Sequence, residues 1–206
     1  MSLSSSHDAL YRSGRIKFLP GALQALTLSP TLADLLVKQG VPLFSKDNAV
    51  LGVVFQVSDV ARVIELGKRR FLDIGCQAWD PAVLRIGLEL GSEAVFAVSV
   101  DAKAEASFIN TNLPSFLSFL AGFQGFLDRA RQPDVASIMT QEQARERLAA
   151  LRRGEVRPAA AQATQFDRAA ELSKIKLEFK REDPAAFSDK ESWWSRILEQ
   201  AEDGLI

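Results

Sequence analysis

The sequence is nearly empty of the residues that most often do chemistry: His7 and Cys76 are the only histidine and cysteine among 206 residues. With one His, in a polar terminus, and one Cys, in an apolar run, no catalytic triad, thiolate–imidazole pair or zinc set is expected. A lone cysteine cannot close an internal disulfide, which fits a reducing compartment. Cys76 lies in the apolar run Leu72–Cys76, so a buried, inert thiol is expected there. His7 lies in a polar terminus and reads as a bystander. An excess of one charge is also lacking, with 25 Lys and Arg against 26 Asp and Glu. A nucleic-acid binder usually carries a clear basic surplus.

No stretch reaches the 18 or so consecutive apolar residues of a membrane span, and Met1–Lys17 lacks the apolar run of a signal peptide. The chain is therefore expected in the cytoplasm. Gly87 and Gly91 have neither the GxGxxG nor the Lys-Ser/Thr context of a phosphate loop. Carboxylates remain: Glu89 and Glu93, then Asp101 and Glu105, lie at turns, where acids are usually solvated, and acid–base work needs two of them to converge. The expectation is a non-enzymatic chain with no metal and no cofactor.

What is present suits one domain over residues 1–206, long enough to bury roughly 70% of its unfolded surface. Ser29 and Pro30 open a short helix with Leu32, Leu35 and Leu36, ended by Gly40 and Pro42. Five β-rich runs follow: Ala49–Val57, Arg70–Cys76, Ala82–Glu89, Ala94–Val100 and Ala106–Ile109. The third and fourth flank a short turn containing Gly91, so that pair is expected to be antiparallel. Residues 62–70 are compatible with a loop or a helical turn.

At Asn110 the apolar period changes to 3.6. Asn112 caps, and Leu113, Phe116, Leu117, Leu120, Phe123 and Leu127 make a broad stripe, widened by Phe119 and Phe126. This helix is expected to be buried against the sheet. Thr140 to Gln143 reads as a capping box for a second helix, whose Arg145, Arg147, Arg152, Arg153 and Arg157 alternate with Glu142, Glu146 and Glu155. A solvated amphipathic helix fits that alternation, and a one-sided nucleic-acid surface is the alternative. Residues near 158–166 read as a flexible connection. A C-terminal docking helix over 189–203, capped by Ser188, presents Trp193, Trp194, Ile197, Leu198 and Ala201. Adjacent tryptophans cannot share one narrow helix face, so either both pack in the core or one covers another surface or a partner. The element order gives an α+β fold, a central antiparallel sheet flanked by helices.

Four stretches resemble a known family. Phe108-Ile-Asn-Thr-Asn-Leu-Pro-Ser-Phe-Leu-Ser-Phe-Leu120 is similar to the SUKH signature in which a strand ends at an Asn-containing turn and enters a Phe-Leu-rich helix. Leu84–Val95 resembles its strand–turn–strand motif, and Gly40-Val-Pro42 occupies the place of its early Gly-Leu-Pro. The tail Asp183–Gln200 is similar to the C-terminus of the fourth SUKH subfamily. Gly87 and Glu89 stand where that family commonly has Cys and Asp. The resemblance implies a SUKH-like fold and an immunity protein of a polymorphic toxin system, whose partner is a cognate secreted toxin, often a nuclease or nucleic-acid deaminase. With the balanced charge and the lack of a long apolar run, direct contact with neither nucleic acid nor membrane is expected. A regulatory or scaffolding adaptor using the same fold is the rival reading, and a hydrolase using Asp or Glu alone a third. The motif residues are Gly91, Asn110, Asn112, Phe116, Trp193 and Trp194. Candidate partner-binding residues are Glu182, Asp183, Glu199, Glu202 and Asp203, an acidic set near the C-terminus that suits a basic toxin cleft.

Overall fold

In the computed structural model the described residues are 10–44, 49–57, 59–101, 104–131, 141–153 and 166–206. His7, Thr140 and most of the expected connection near 158–166 lie outside them. The sheet has six strands: β3 (Val53–Phe55), β4 (Val63–Leu66), β5 (Arg69–Gln77), β6 (Leu84–Glu89), β7 (Val95–Ser99) and β8 (Ala106–Asn110). Its order is β3-β5-β6-β7-β8, all antiparallel, with β4 also on β5. The two short strands share one edge: β3 lies opposite Gly75–Gln77 and β4 opposite Arg69–Leu72. A bulge between Asp73 and Gly75 marks the changeover. Residues 62–70 thus form a hairpin and its turn. β1 (Arg15–Ile16) and β2 (Val41–Pro42) make a separate two-stranded ladder beside α1 (Pro20–Leu23) and α2 (Pro30–Asp34), which runs on as a π-turn, Leu35–Gln39.

Two caps fall where the sequence places them. Ser29 Oγ accepts from Leu32 N at 3.2 Å, and Asn112 Oδ1 accepts from Ser115 N at 2.8 Å. The first is tied to the sheet from a distance. Glu93, in the β6–β7 turn with φ of 62°, accepts from the Ser29 amide and from Ser29 Oγ. Gly91, at φ 112°, makes that turn. Ala49–Val57 is shorter as a strand than its composition suggests, because Leu51 and Gly52 both adopt left-handed backbone before β3 begins.

The long helix α3 (Leu113–Ala130) covers one face of the sheet. It is buried on two sides rather than one. Phe116 meets Phe55 at 6.3 Å on the sheet side, while Phe119 stacks on Phe179 at 3.9 Å on the other. Phe179 belongs to α5 (Arg168–Glu182), a helix the composition had not announced, and it follows α4 (Gln141–Arg152). The tail is corrected in detail: Pro184–Phe187 form a 3-10 turn, Ser192 rather than Ser188 caps the last helix, and α6 runs over Trp193–Glu202. α5 and α6 form the outer layer, so the core lies between sheet and α3 and again between α3 and that pair.

On its other face the sheet carries a smaller cluster. Phe71, Phe96 and Phe108 meet edge-on with ring centres 5.5 Å apart at each step. Gly87 leaves the room for this, since a Cβ there would lie 2.9 Å from Phe71 Cβ. Arg69 lies over Phe96 at 4.2 Å and donates to Glu89 Oε1 at 2.6 Å. That hydrogen bond holds the Glu89 carboxyl below its usual range.

Candidate functional site

The inner face of the sheet is not covered to its end. At the β8 end of the register Ala97 pairs with Ser107 and with Ile86. Ala97 and Ser107 are small, and α3 passes above them on Leu127 and Arg131. α6 forms a wall with Trp193, Arg196, Ile197 and Gln200. Small side chains below and bulky ones above leave a groove of about 590 Å³, apolar for most of its lining.

Its mouth is built from a strained turn and an exposed ring. Leu51, with φ 53° and ψ 29°, occupies the left-handed region at a cost of about 1 kcal/mol. Gly52 follows at φ +69°, and a Cβ there would stand 1.8 Å from Trp79 Cζ3. The six-membered ring of Trp79 therefore packs against the Gly52 backbone, and Ala78 N donates to Gly52 O at 2.7 Å to hold the two segments together. Trp79 remains 66% exposed.

The adjacent tryptophans separate cleanly. Trp194 is fully buried between Phe119, at 5.2 Å, and Phe179, at 5.3 Å. Its Nε1–H donates to Asn110 Oδ1 at 2.9 Å. Trp193 is half-buried, 6.2 Å from Phe116, and forms part of the groove wall. Asn110, Phe116, Trp193 and Trp194 thus join the strand–helix junction to the tail.

The acidic candidates do not form one surface. Asp183 is corrected outright: it is 1% exposed, and its Oδ2 accepts from Asn110 Nδ2 at 2.9 Å and from Thr111 N at 2.8 Å. It locks the 3-10 turn to the β8–α3 corner and is not available to a partner. Glu182 is exposed at the end of α5, where its Oε2 accepts from Ser118 Oγ at 2.9 Å. Glu202 faces α5, with Lys176 Nζ 3.6 Å away. Glu199 and Asp203 are exposed. At 100° per residue Asp203 falls beside Arg196, next to the groove, and Glu199 falls midway between Arg196 and Glu202. Sequence reasoning missed Trp79, an isolated aromatic in a loop with no periodic signal around it.

A second cavity, about 470 Å³, holds the buried pair Asp73 and Arg85. Arg85 spends its donors on Asp73, on Pro81 O at 2.9 Å and on Gln56 Oε1 at 3.0 Å. This is a satisfied ion pair that ties β5 to β6. Among the described residues no group of three His, Cys, Asp or Glu could hold a metal ion, and no helix is long and apolar enough to cross a membrane.

The family model described as SUKH-4 immunity protein matches residues 13–200. The chain belongs to the SUKH-4 immunity protein family. That match runs from the β1–β2 ladder through the sheet and into α6, and so includes Asn110, Asn112, Phe116 and both α6 tryptophans. No curated protein and no solved structure matches the chain.

Proposed function

We propose that this SUKH-4 family chain acts in the cytoplasm as the immunity partner of a polymorphic toxin system. It binds a cognate secreted toxin of the nuclease or nucleic-acid deaminase class and blocks it. The action is stoichiometric binding with no catalytic step of its own. The observation that carries this reading is the SUKH-4 immunity protein match over residues 13–200, and the groove beside Trp79, a large exposed ring at the mouth of an apolar opening, supports it. A buried aromatic anchor is what protein interfaces use most efficiently, since indoles supply large contact area and a donor at low entropic cost.

Nuclease and deaminase clefts must accommodate phosphates and tend to be basic, so an inhibitor gains from acids around its anchor. Asp203, exposed beside the groove, and Glu199, exposed one turn before it on α6, suit that requirement. The test is co-expression of this chain with the C-terminal toxin domain encoded next to it, in a susceptible bacterial host. The expected result is rescued growth and a complex that survives size-exclusion chromatography. Persistent toxicity with both proteins present in soluble form contradicts the reading.

A further inference from the structure

We infer that the groove between the sheet end and α6 is the docking surface for an aliphatic or aromatic side chain carried on a basic segment of the toxin, with Trp79 at its mouth. The inference rests on the immunity reading for the identity of the partner, and on the groove's own geometry for the chemistry of what it takes.

The shape points to a side chain. The opening of about 590 Å³ is lined mostly by apolar surface, from Leu51, Leu84, Leu127, Trp193 and Ile197. That volume exceeds any one side chain, so a short segment enters with its anchor. Gly52, which follows Leu51 in left-handed backbone, lacks the Cβ that would collide with Trp79, and so leaves room for an indole at the mouth although 66% of it faces water. Burying that ring under a partner recovers apolar area the free protein leaves wet.

The charge points to a basic segment. Asp80 follows Trp79 and is exposed, and Glu199 and Asp203 stand along the α6 side. Of the two arginines at the lining, Arg196 is already paired with Glu191 at 2.5 Å. Arg131, at the end of α3, sets the polarity of the site: the partner's basic residues lie toward α6 and Trp79 and its backbone carbonyls toward α3.

Two probes and two variants test this. The probes are a capped Lys-Arg-Leu-Phe-Lys-Arg peptide and its charge inverse, Glu-Asp-Leu-Phe-Glu-Asp. The readout is the indole N–H signals of the isotope-labelled full chain, with the Trp79 signal assigned by its loss in Trp79→Phe. The basic peptide is expected to shift the Trp79 and Trp193 signals saturably while leaving Trp194 in place, and to bind at least about tenfold tighter than its inverse. Trp79→Ala, and separately Ser107→Arg on the exposed groove floor, are expected to weaken both the basic peptide and the neighbouring-gene toxin domain by at least about tenfold. No saturable shift by either peptide at millimolar concentration, or equal binding of the two, overturns the inference. A toxin that binds wild type and both variants equally removes the groove as the docking surface and leaves immunity standing. A wild-type chain that binds no toxin removes the immunity reading, and the peptides then decide the groove by themselves.

Discussion

Trp193 and Trp194 are neighbours on one helix, yet one is fully buried between two phenylalanines and the other borders an open groove. A step of 100° between successive helical residues makes this division possible. On the Trp194 side the packing is dense: Phe119 stacks on Phe179, Asn110 accepts the indole N–H, and Asp183 holds Asn110 through Oδ2, leaving its Oδ1 as the one buried side-chain oxygen without a hydrogen-bond partner among the described residues. On the Trp193 side the sheet offers Ala97 and Ser107, which do not fill the space under α3. The lesson is that the tail helix does two jobs at once. One face completes the core and the next walls a cleft, so the chemistry of stability and the chemistry of recognition lie one residue apart.

The largest expected effect breaks the closed side. Trp194→Ala removes a fully buried indole and leaves Asn110 Oδ1 without its donor, so a loss of about 3–5 kcal/mol is expected in chemical denaturation. The matching change on the open side, Trp79→Ala, is expected to cost less than about 1 kcal/mol, because that ring is already mostly in water. Equal losses from the two substitutions erase the distinction between a core face and a recognition face.

An intermediate effect isolates the polar part of the closed side. Asn110→Ala strands the Trp194 Nε1–H in an apolar setting and takes one of two donors from Asp183 Oδ2. A buried donor without an acceptor costs about 1–3 kcal/mol, so about 2 kcal/mol of destabilisation is expected, read as a lowered denaturant midpoint with the slope unchanged. A neutral result means the aromatic contacts hold the tail without help from the Asn110–Asp183 link.

Much of this architecture is legible in the sequence, and the gaps have physical causes. The β6–β7 hairpin reads directly, because two apolar runs flank a glycine turn with no room for a crossover. So does α3, whose phenylalanine stripe and Asn112 cap agree. α5 escaped notice because its buried residues, Leu172, Ile175 and Phe179, form a narrow stripe in a segment dominated by Lys, Arg and Glu. Asp167, which accepts from Ala170 N at 2.9 Å, was the signal that could have found it. Ser188 passed for the cap of α6 because Glu191 stands three residues on. The 3-10 turn at Pro184–Phe187 delays the helix, and Ser192 takes that role. The site was less legible. Asp183 reads as one acid among several until the fold wraps it against Asn110, and Trp79 has meaning only once Gly52 lies beneath it.

The smallest effect on stability, and the sharpest on recognition, comes from reversing charge on α6. Glu199, Glu202 and Asp203 are all exposed, so replacing the three by Lys is expected to change stability by no more than about 0.5 kcal/mol. The Lys176–Glu202 pair is itself 41% and 47% exposed, where ion pairs contribute little. A cation at Asp203, the C-cap of α6, even gains from the helix dipole. Association with a basic toxin is another matter, because acids around a docking site raise the encounter rate in a salt-dependent way. The triple reversal is expected to slow association and flatten its dependence on salt, with little change in dissociation. Position then refines the outcome. Glu202 faces Lys176 on α5, whereas Asp203 lies toward the groove with Glu199 between the two, so Glu202→Lys alone is expected to leave the association rate close to wild type. If Glu202→Lys reproduces the full slowing in stopped-flow measurements, the toxin approaches across α5, and the side of α6 that meets it is the one away from Trp193.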